Sequence, residues 1–309
     1  MLSKQQTKSE SYQANTLAYQ VESNSASPLV TIQPNGRKRP FFLVLGGVGG
    51  VDGDIGLAVA ARLLIHLDSE RPFYGLRASI LDGELNPYAP AEYPPAEVLA
   101  ADYIKAIRAF QPDGPYLLGG DCLAGIVAFE MAQQLVAQGQ KVALLVLLDT
   151  SCPTETTCYN DRLPRKIPAT IIYHLNQLWH IEPGKRLSYF FDKAMNAFKL
   201  YLLRDREAWK ARFYAHLWQQ YSTTLLRYRP QTYSGRIALL LCEALYRQNP
   251  TQGWSNVAPE GLEIYMFPGE HTTYIKEHAQ AIAEQLSLCF DAAEAENLKP
   301  PVTKHNATG

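Results

Sequence analysis

The chain has 309 residues, 47% hydrophobic and 19% charged, with a formal net charge of -1. That length holds one α/β domain with an insertion, or two small domains, and the composition is that of an ordinary soluble globular protein. The balanced charge gives nucleic-acid binding no electrostatic support, the longest apolar runs are too short to span a bilayer, and the five cysteines form neither a CxxC pair nor a metal-ligand cluster.

Residues 1–27 are rich in Ser, Gln, Lys, Asn and Thr without an apolar period, and are expected to be a disordered leader or linker. Leu29-Val30-Thr31-Ile32 is the first candidate strand, closed by Pro34-Asn35-Gly36. Phe41–Leu45 is too apolar for an exposed strand and belongs in a sheet covered on both faces. Phe73-Tyr74-Gly75-Leu76 is a further short strand. Beyond Pro94-Pro95, Val98, Ala101, Ile104, Ile107 and Phe110 recur at helical spacing until Pro112-Asp113-Gly114-Pro115 ends the helix. A strand at Tyr116–Leu118, a helix to about Gln138 and a buried strand at Val142–Leu148 follow. At Cys152-Pro153 the pattern breaks, and the stretch to Pro230 reads as helices dense in aromatics, including Tyr173, Trp179, Phe190, Trp209, Trp218 and Tyr221. The sheet resumes at Ile237–Leu241 and Leu262–Phe267, and a last helix is expected from about Thr273 to Phe290. Strands alternating with helices in this way predict an α/β fold with a mostly parallel, doubly wound sheet. Its core spans 28–152 and 231–293, with a helical insertion at 153–230 and a disordered tail at 294–309.

The chemistry is expected at Gly119-Gly120-Asp121-Cys122-Leu123-Ala124-Gly125. A strand feeding a helix through so tight a turn strains the central residue and needs small neighbours, which Gly120, Ala124 and Gly125 supply. That geometry holds Cys122 at the helix start, where free amides and the dipole favour a thiolate and a developing oxyanion. The competing reading is a buried structural cysteine in a glycine-rich turn. A cysteine nucleophile needs an imidazole and an acid to orient it. His271 follows the strand Leu262–Phe267 through Pro268-Gly269-Glu270, at the edge where a doubly wound sheet collects its active site. The other histidines lie in helical patterns or, for His305, in the tail. Asp149 ends the strand Val142–Leu148 and is the first candidate acid, against a plain turn or helix-cap role ahead of Thr150-Ser151; Glu243, one strand later, is the second. For the oxyanion we expect the amides of Leu123 and of Val48, in the glycine-rich loop Gly46-Gly47-Val48-Gly49-Gly50. That loop lacks both the GxGxxG spacing and the Lys-Ser/Thr of a nucleotide site. We expect no bound cofactor and no metal.

From about Pro28 to Phe290 the chain resembles the thioesterase domains that end non-ribosomal peptide and polyketide synthases. The resemblance is carried by Ile32-Gln33-Pro34-Asn35-Gly36, Pro72–Leu76, Tyr103–Arg108, Gly114–Gly120, Val127–Ala132 and Pro268-Gly269-Glu270-His271. It implies an α/β-hydrolase fold, whose nucleophile–acid–histidine order Cys122, Asp149 and His271 follow. It further implies a helical lid at 153–230 and an acyl chain delivered on the phosphopantetheine arm of a carrier protein. The chain-terminating branch of the family carries its acid after the strand that follows the elbow helix, which favours Asp149; the editing branch carries it one strand later, where Glu243 stands. Three departures stand out: Cys122 replaces serine, Gly46 stands where most members have histidine, and Asp121 replaces a neutral residue beside the nucleophile.

A cysteine keeps the acyl chain at thioester energy, so release by ring closure or by an amine or alcohol is expected ahead of hydrolysis to the free acid. A non-catalytic carrier-binding module is the alternative suggested by Gly46 and Asp121, and a small-ester hydrolase is a third. No nucleic-acid or membrane partner is expected. The odd cysteine count and the lack of a secretory leader lead us to expect the cytoplasm.

Overall fold

A computed structural model of the protein describes residues 27–46, 55–77, 93–153 and 217–297. The strands β1 (Leu29–Gln33), β2 (Phe41–Val44), β3 (Phe73–Leu76), β4 (Tyr116–Asp121), β5 (Val142–Leu148), β6 (Ile237–Cys242) and β7 (Leu262–Phe267) form one sheet in the order β1-β3-β2-β4-β5-β6-β7. β1 runs antiparallel to β3, and every other neighbouring pair is parallel. Every residue of β2, β4, β5 and β6 is buried, as runs without polar alternation require in a sheet covered on both faces. α2 (Ala96–Phe110) and α3 (Ala124–Ala137) cover one face, with Ile104, Ile107, Phe129 and Met131 against Phe42, Leu118 and Leu145. α1 (Ile55–Leu64) and α5 (Tyr274–Asn297) cover the other, where Leu63, Leu286 and Phe290 meet Phe41, Leu117 and Leu144. A fifth helix, α4 (Glu243–Gln248), is a short one after β6. The chain therefore has the α/β, doubly wound arrangement expected from the alternation of strands and helices.

Strand order reverses between β2 and β4: the chain steps outward from β2 to β3, which lies between β2 and β1, then returns to β4 on the far side of β2. Loops at the carboxyl ends of strands on either side of such a reversal leave a crevice. The end of β2 and the start of α3 both lie there.

The last helix runs past the expected end at Phe290 to Asn297, so the tail boundary at 294 falls too early. Tertiary contacts extend it. Glu294 reaches Arg71 at 2.8 Å, and Arg71 is 5% exposed, stacked over the Phe290 ring at 4.7 Å. Glu296 reaches Arg236 at 3.3 Å. β4 also extends beyond Leu118 to Asp121, because Gly119 and Gly120 pair with Leu43 and Val44 of β2 and with Val146 and Leu147 of β5. Of the expected lid, 154–216 lies outside the described residues, as do 1–26 of the leader and 298–309 of the tail. Residues 217–226 are helical and bury Leu217, Tyr221 and Leu225, with Tyr221 edge-on to Tyr93 at 4.8 Å.

Candidate active site

Cys122 follows β4 directly and has φ +54, a left-handed backbone that non-glycine residues rarely adopt. Tertiary contacts hold it there. Its N–H donates to Leu148 O at 2.8 Å, continuing the β4–β5 ladder, while Gly125 N–H returns to Cys122 O at 3.2 Å. The crossing is close: a Cβ on Gly120 would lie 2.6 Å from Gly125 Cα, and one on Gly125 would lie 2.1 Å from Thr150 Oγ1. Thr150 Oγ1 donates to Cys122 O at 2.9 Å and also lies 3.2 Å from Leu148 O. Trp254, fully buried, donates its indole N–H to Thr150 O at 2.8 Å. Thr150 and Trp254 thus clamp the turn, and neither carries a sequence signal for that role.

The same parallel registers carry the next two side chains to the sheet's carboxyl edge. Asp121 pairs with Leu148, Leu148 with Leu240, and Cys242 with Phe267, so the loops following these strands are neighbours. Asp149, also left-handed at φ +49, turns its carboxylate inward with a wholly buried side chain. Its Oδ1 accepts the Cys242 N–H at 2.6 Å, and its Oδ2 lies 2.7 Å from His271 Nδ1. That bond orients the ring so that Nε2 is free for another partner, and the Cys122 side chain lies near enough to contribute to the rise in the His271 pKa. With Asp149 first and Cys122 second in effect, the imidazole pKa is pushed up to about 11, against a smaller opposing effect of burial. The His271 side chain is 43% exposed, so one edge of the site is open to water.

Cys122, Asp149 and His271, far apart in sequence, therefore converge. Glu243 does not join them: it begins α4, is part-exposed, and pairs with Arg247 one turn on. Leu123 opens α3, where first-turn amides have no intrahelical acceptor. Val48 lies outside the described residues, as do Cys158, His174, His180, His216 and His305. His278 lies within α5 at a break in helical geometry. Cys152, Cys242 and Cys289 are buried, whereas Cys122 is half-buried; burial pushes the Cys152 and Cys242 thiols up to about 12. Asp121 is buried beside the nucleophile, and desolvation raises its carboxyl to about 7, with His271 opposing and Asp149 adding to the rise. Among the described residues no group of three or more His, Cys, Asp or Glu could hold a metal, and no helix is long and apolar enough to cross a membrane.

A parallel sheet with this turn after its central strand, and an acid and a histidine on later loops, has the α/β-hydrolase fold. Solved structures share it. The NocB thioesterase domain from the nocardicin cluster superposes with a TM-score of 0.56 at 20% identity, covering 84% of this chain and 98% of that one. The four-domain nonribosomal peptide synthetase AB3403 gives 0.59 at 21% identity, over 85% of this chain and 20% of that one. The thioesterase domain family matches residues 86–288, and the chain belongs to that family. Among curated relatives, polyketide synthase PksR of Bacillus subtilis (strain 168) is 38% identical over 128 residues, 41% of this chain and 4% of PksR. Nonribosomal peptide synthetase acyN of Ascocoryne sarcoides is 34% identical over 166 residues, 54% of this chain and 15% of acyN. The chain thus matches only a small part of the length of these multidomain relatives.

Proposed function

We propose that this domain releases acyl, peptidyl or polyketidyl chains from the phosphopantetheine arm of a carrier protein by way of a thioester on Cys122. It then delivers them by ring closure or to an amine or alcohol. The observation that carries this reading is the left-handed Cys122 at the start of α3, electrostatically coupled to a His271 that Asp149 anchors at 2.7 Å. In the acylation step the Cys122 proton passes to His271 Nε2 and the sulfur attacks the thioester carbonyl carbon. The oxyanion is received by backbone amides, with Leu123 N–H one donor and Val48 N–H the expected second. The carbonyl re-forms, the pantetheine sulfur leaves, and it takes the proton from His271. Release reverses the roles: the incoming nucleophile gives its proton to His271, attacks the acyl carbon and expels the Cys122 thiolate. No resident cofactor or metal has a part in either step.

Retention of thioester energy supports transfer over hydrolysis, because aminolysis or lactonisation remains downhill from the acyl-enzyme. Hydrolysis to the free acid is the competing reading, favoured by the exposed edge of His271. Incubation with a long-chain acyl-pantetheine, followed by intact mass and peptide mapping, should find the acyl group on Cys122. Products should then include amide, ester or ring above the uncatalysed background when amines, alcohols or cyclisable chains are supplied. An adduct elsewhere with Cys122 unmodified would remove the nucleophile assignment, and no adduct or turnover at all would favour a carrier-binding module. Free acid alone, with every acceptor, would leave a hydrolytic thioesterase.

A further inference from the structure

Asp121 is the one charged side chain at this site whose role the mechanism above leaves unexplained. It is 7% exposed, ends β4 and immediately precedes the nucleophile. A carboxylate taken out of water needs donors or a cation. Among the described residues no Lys or Arg pairs with it, and no side chain is hydrogen-bonded to it. The opposite charge it feels is His271, which Asp149 and Cys122 already engage. Tyr274 is 1% exposed, its hydroxyl has no hydrogen-bond partner among the described residues, and it feels Asp121 more strongly than Asp149, Cys242 or Cys122. Tyr221, from the other side of the nucleophile, feels Cys122 and Asp121 together. At the end of β2, Gly46 makes room: a Cβ there would stand 3.0 Å from Asp121 Oδ2 and 3.0 Å from its main-chain oxygen. Among the described residues, a buried carboxylate next to the nucleophile thus has no side-chain cation or donor, and the phenol that feels it most strongly has no hydrogen-bond partner.

We propose that Asp121 is a specificity-determining residue that selects an ammonium-bearing nucleophile for the release step, binding it through the carboxylate and taking a proton from it. The inference rests on release by transfer, as set out above. An ammonium supplies the missing positive charge and N–H donors, whereas one carboxylate and one phenol are too few ligands for a metal. One N–H proton passes from the ammonium to Asp121, leaving a neutral amine. Its nitrogen attacks the acyl carbon, the C–N bond forms, and the C–S bond breaks with Cys122 departing as thiolate. A second nitrogen proton passes to His271 Nε2, and the third stays on the amide. Asp121 then returns its proton to solvent. Burial suits the carboxyl to this exchange, since a pKa of about 7 lies far nearer to that of an alkylammonium than an exposed aspartate does.

The test compares wild type with Asp121→Asn on one long-chain acyl-pantetheine at about pH 8, with ethylamine or ethanol as acceptor. The substitution should lower the amide-to-acid ratio by about tenfold or more, the size of one charge-assisted hydrogen bond, and the ester-to-acid ratio by less than about threefold. An unchanged amide ratio, or equal losses with both acceptors, overturns the inference while leaving release by transfer intact. Ester or ring product without any amide from wild type does the same. Free acid alone with every acceptor overturns both. A second measurement needs no variant: ethylammonium chloride should slow iodoacetamide alkylation of wild-type Cys122 relative to sodium chloride at equal ionic strength, and equal rates would count against the site.

Discussion

Replacing Asp149 by Asn tests the acid at the atom it serves. The carboxylate accepts two bonds, from Cys242 N–H at 2.6 Å and from His271 Nδ1–H at 2.7 Å, with no side-chain exposure. An amide can do only one of these. If its oxygen keeps the Cys242 N–H, its NH2 faces His271 Nδ1, which becomes an acceptor only in the tautomer that carries the proton on Nε2. That tautomer cannot take a proton from Cys122. If the amide is flipped, its NH2 opposes the Cys242 N–H and a buried donor is stranded, at about 1–3 kcal/mol. The analogous change in a serine protease costs about 10⁴-fold in rate, roughly 5 kcal/mol of barrier. A thiol loses its proton more readily than a hydroxyl, so we expect a loss of about 10³- to 10⁴-fold in single-turnover acylation of Cys122. The His271 titration supplies a second readout. Its folded-state pKa lies above the ordinary value of 6.5, so the stabilisation from the charged ring is complete below pH 6.5 and disappears as pH rises through about 11. In Asp149→Asn the NMR midpoint of the ring should move down toward 6.5. Less than about tenfold loss of acylation, or a larger loss in Glu243→Gln, would refute the assignment of Asp149 as the orienting acid.

Two further outcomes follow from the packing and the buried charge. Gly125→Ala should destabilise the fold by about 2–4 kcal/mol in denaturant titration, because its Cβ would meet Thr150 Oγ1 at 2.1 Å and Cγ2 at 2.6 Å; adding Thr150→Ala, which removes both atoms, should recover part of the loss. Asp121, raised from 3.8 to about 7, binds a proton in the folded state between those values that the unfolded chain does not, so its contribution to stability falls as pH rises from about 4 to 7. Asp121→Asn should therefore gain stability of order 2–4 kcal/mol at pH 8 and almost none at pH 4, with an equal gain at both ruling out an unpaired buried carboxylate.

The positions of β2, β5 and β6 were legible because fully apolar runs have one stable destination, the inside of a covered sheet. The tight turn at Cys122 was legible because small residues flank it between a strand and a helix. Asp149 was legible as the residue that ends a fully buried strand, and His271 as one that follows an apolar-rich strand. Their distances were not, since the pairing of β4 with β5 joins residues such as Leu117 and Leu144, and that of β5 with β6 joins residues as remote as Leu145 and Ile237, which no local pattern records. For the same reason the sequence offered Asp149 and Glu243 as alternatives. The structure separates their surroundings: one carboxylate turns inward between Cys242 N–H and His271, and the other starts a surface helix beside Arg247. The reach of α5 to Asn297 was likewise invisible, because Glu294 gains its place from a buried Arg71 that is remote in the chain. Local sequence determined which segments must be buried and which turn must be tight. Tertiary structure decided which acid meets the histidine and that Asp121 stands without a cation among the described residues, because both depend on the registers of strands brought together only by the folded sheet.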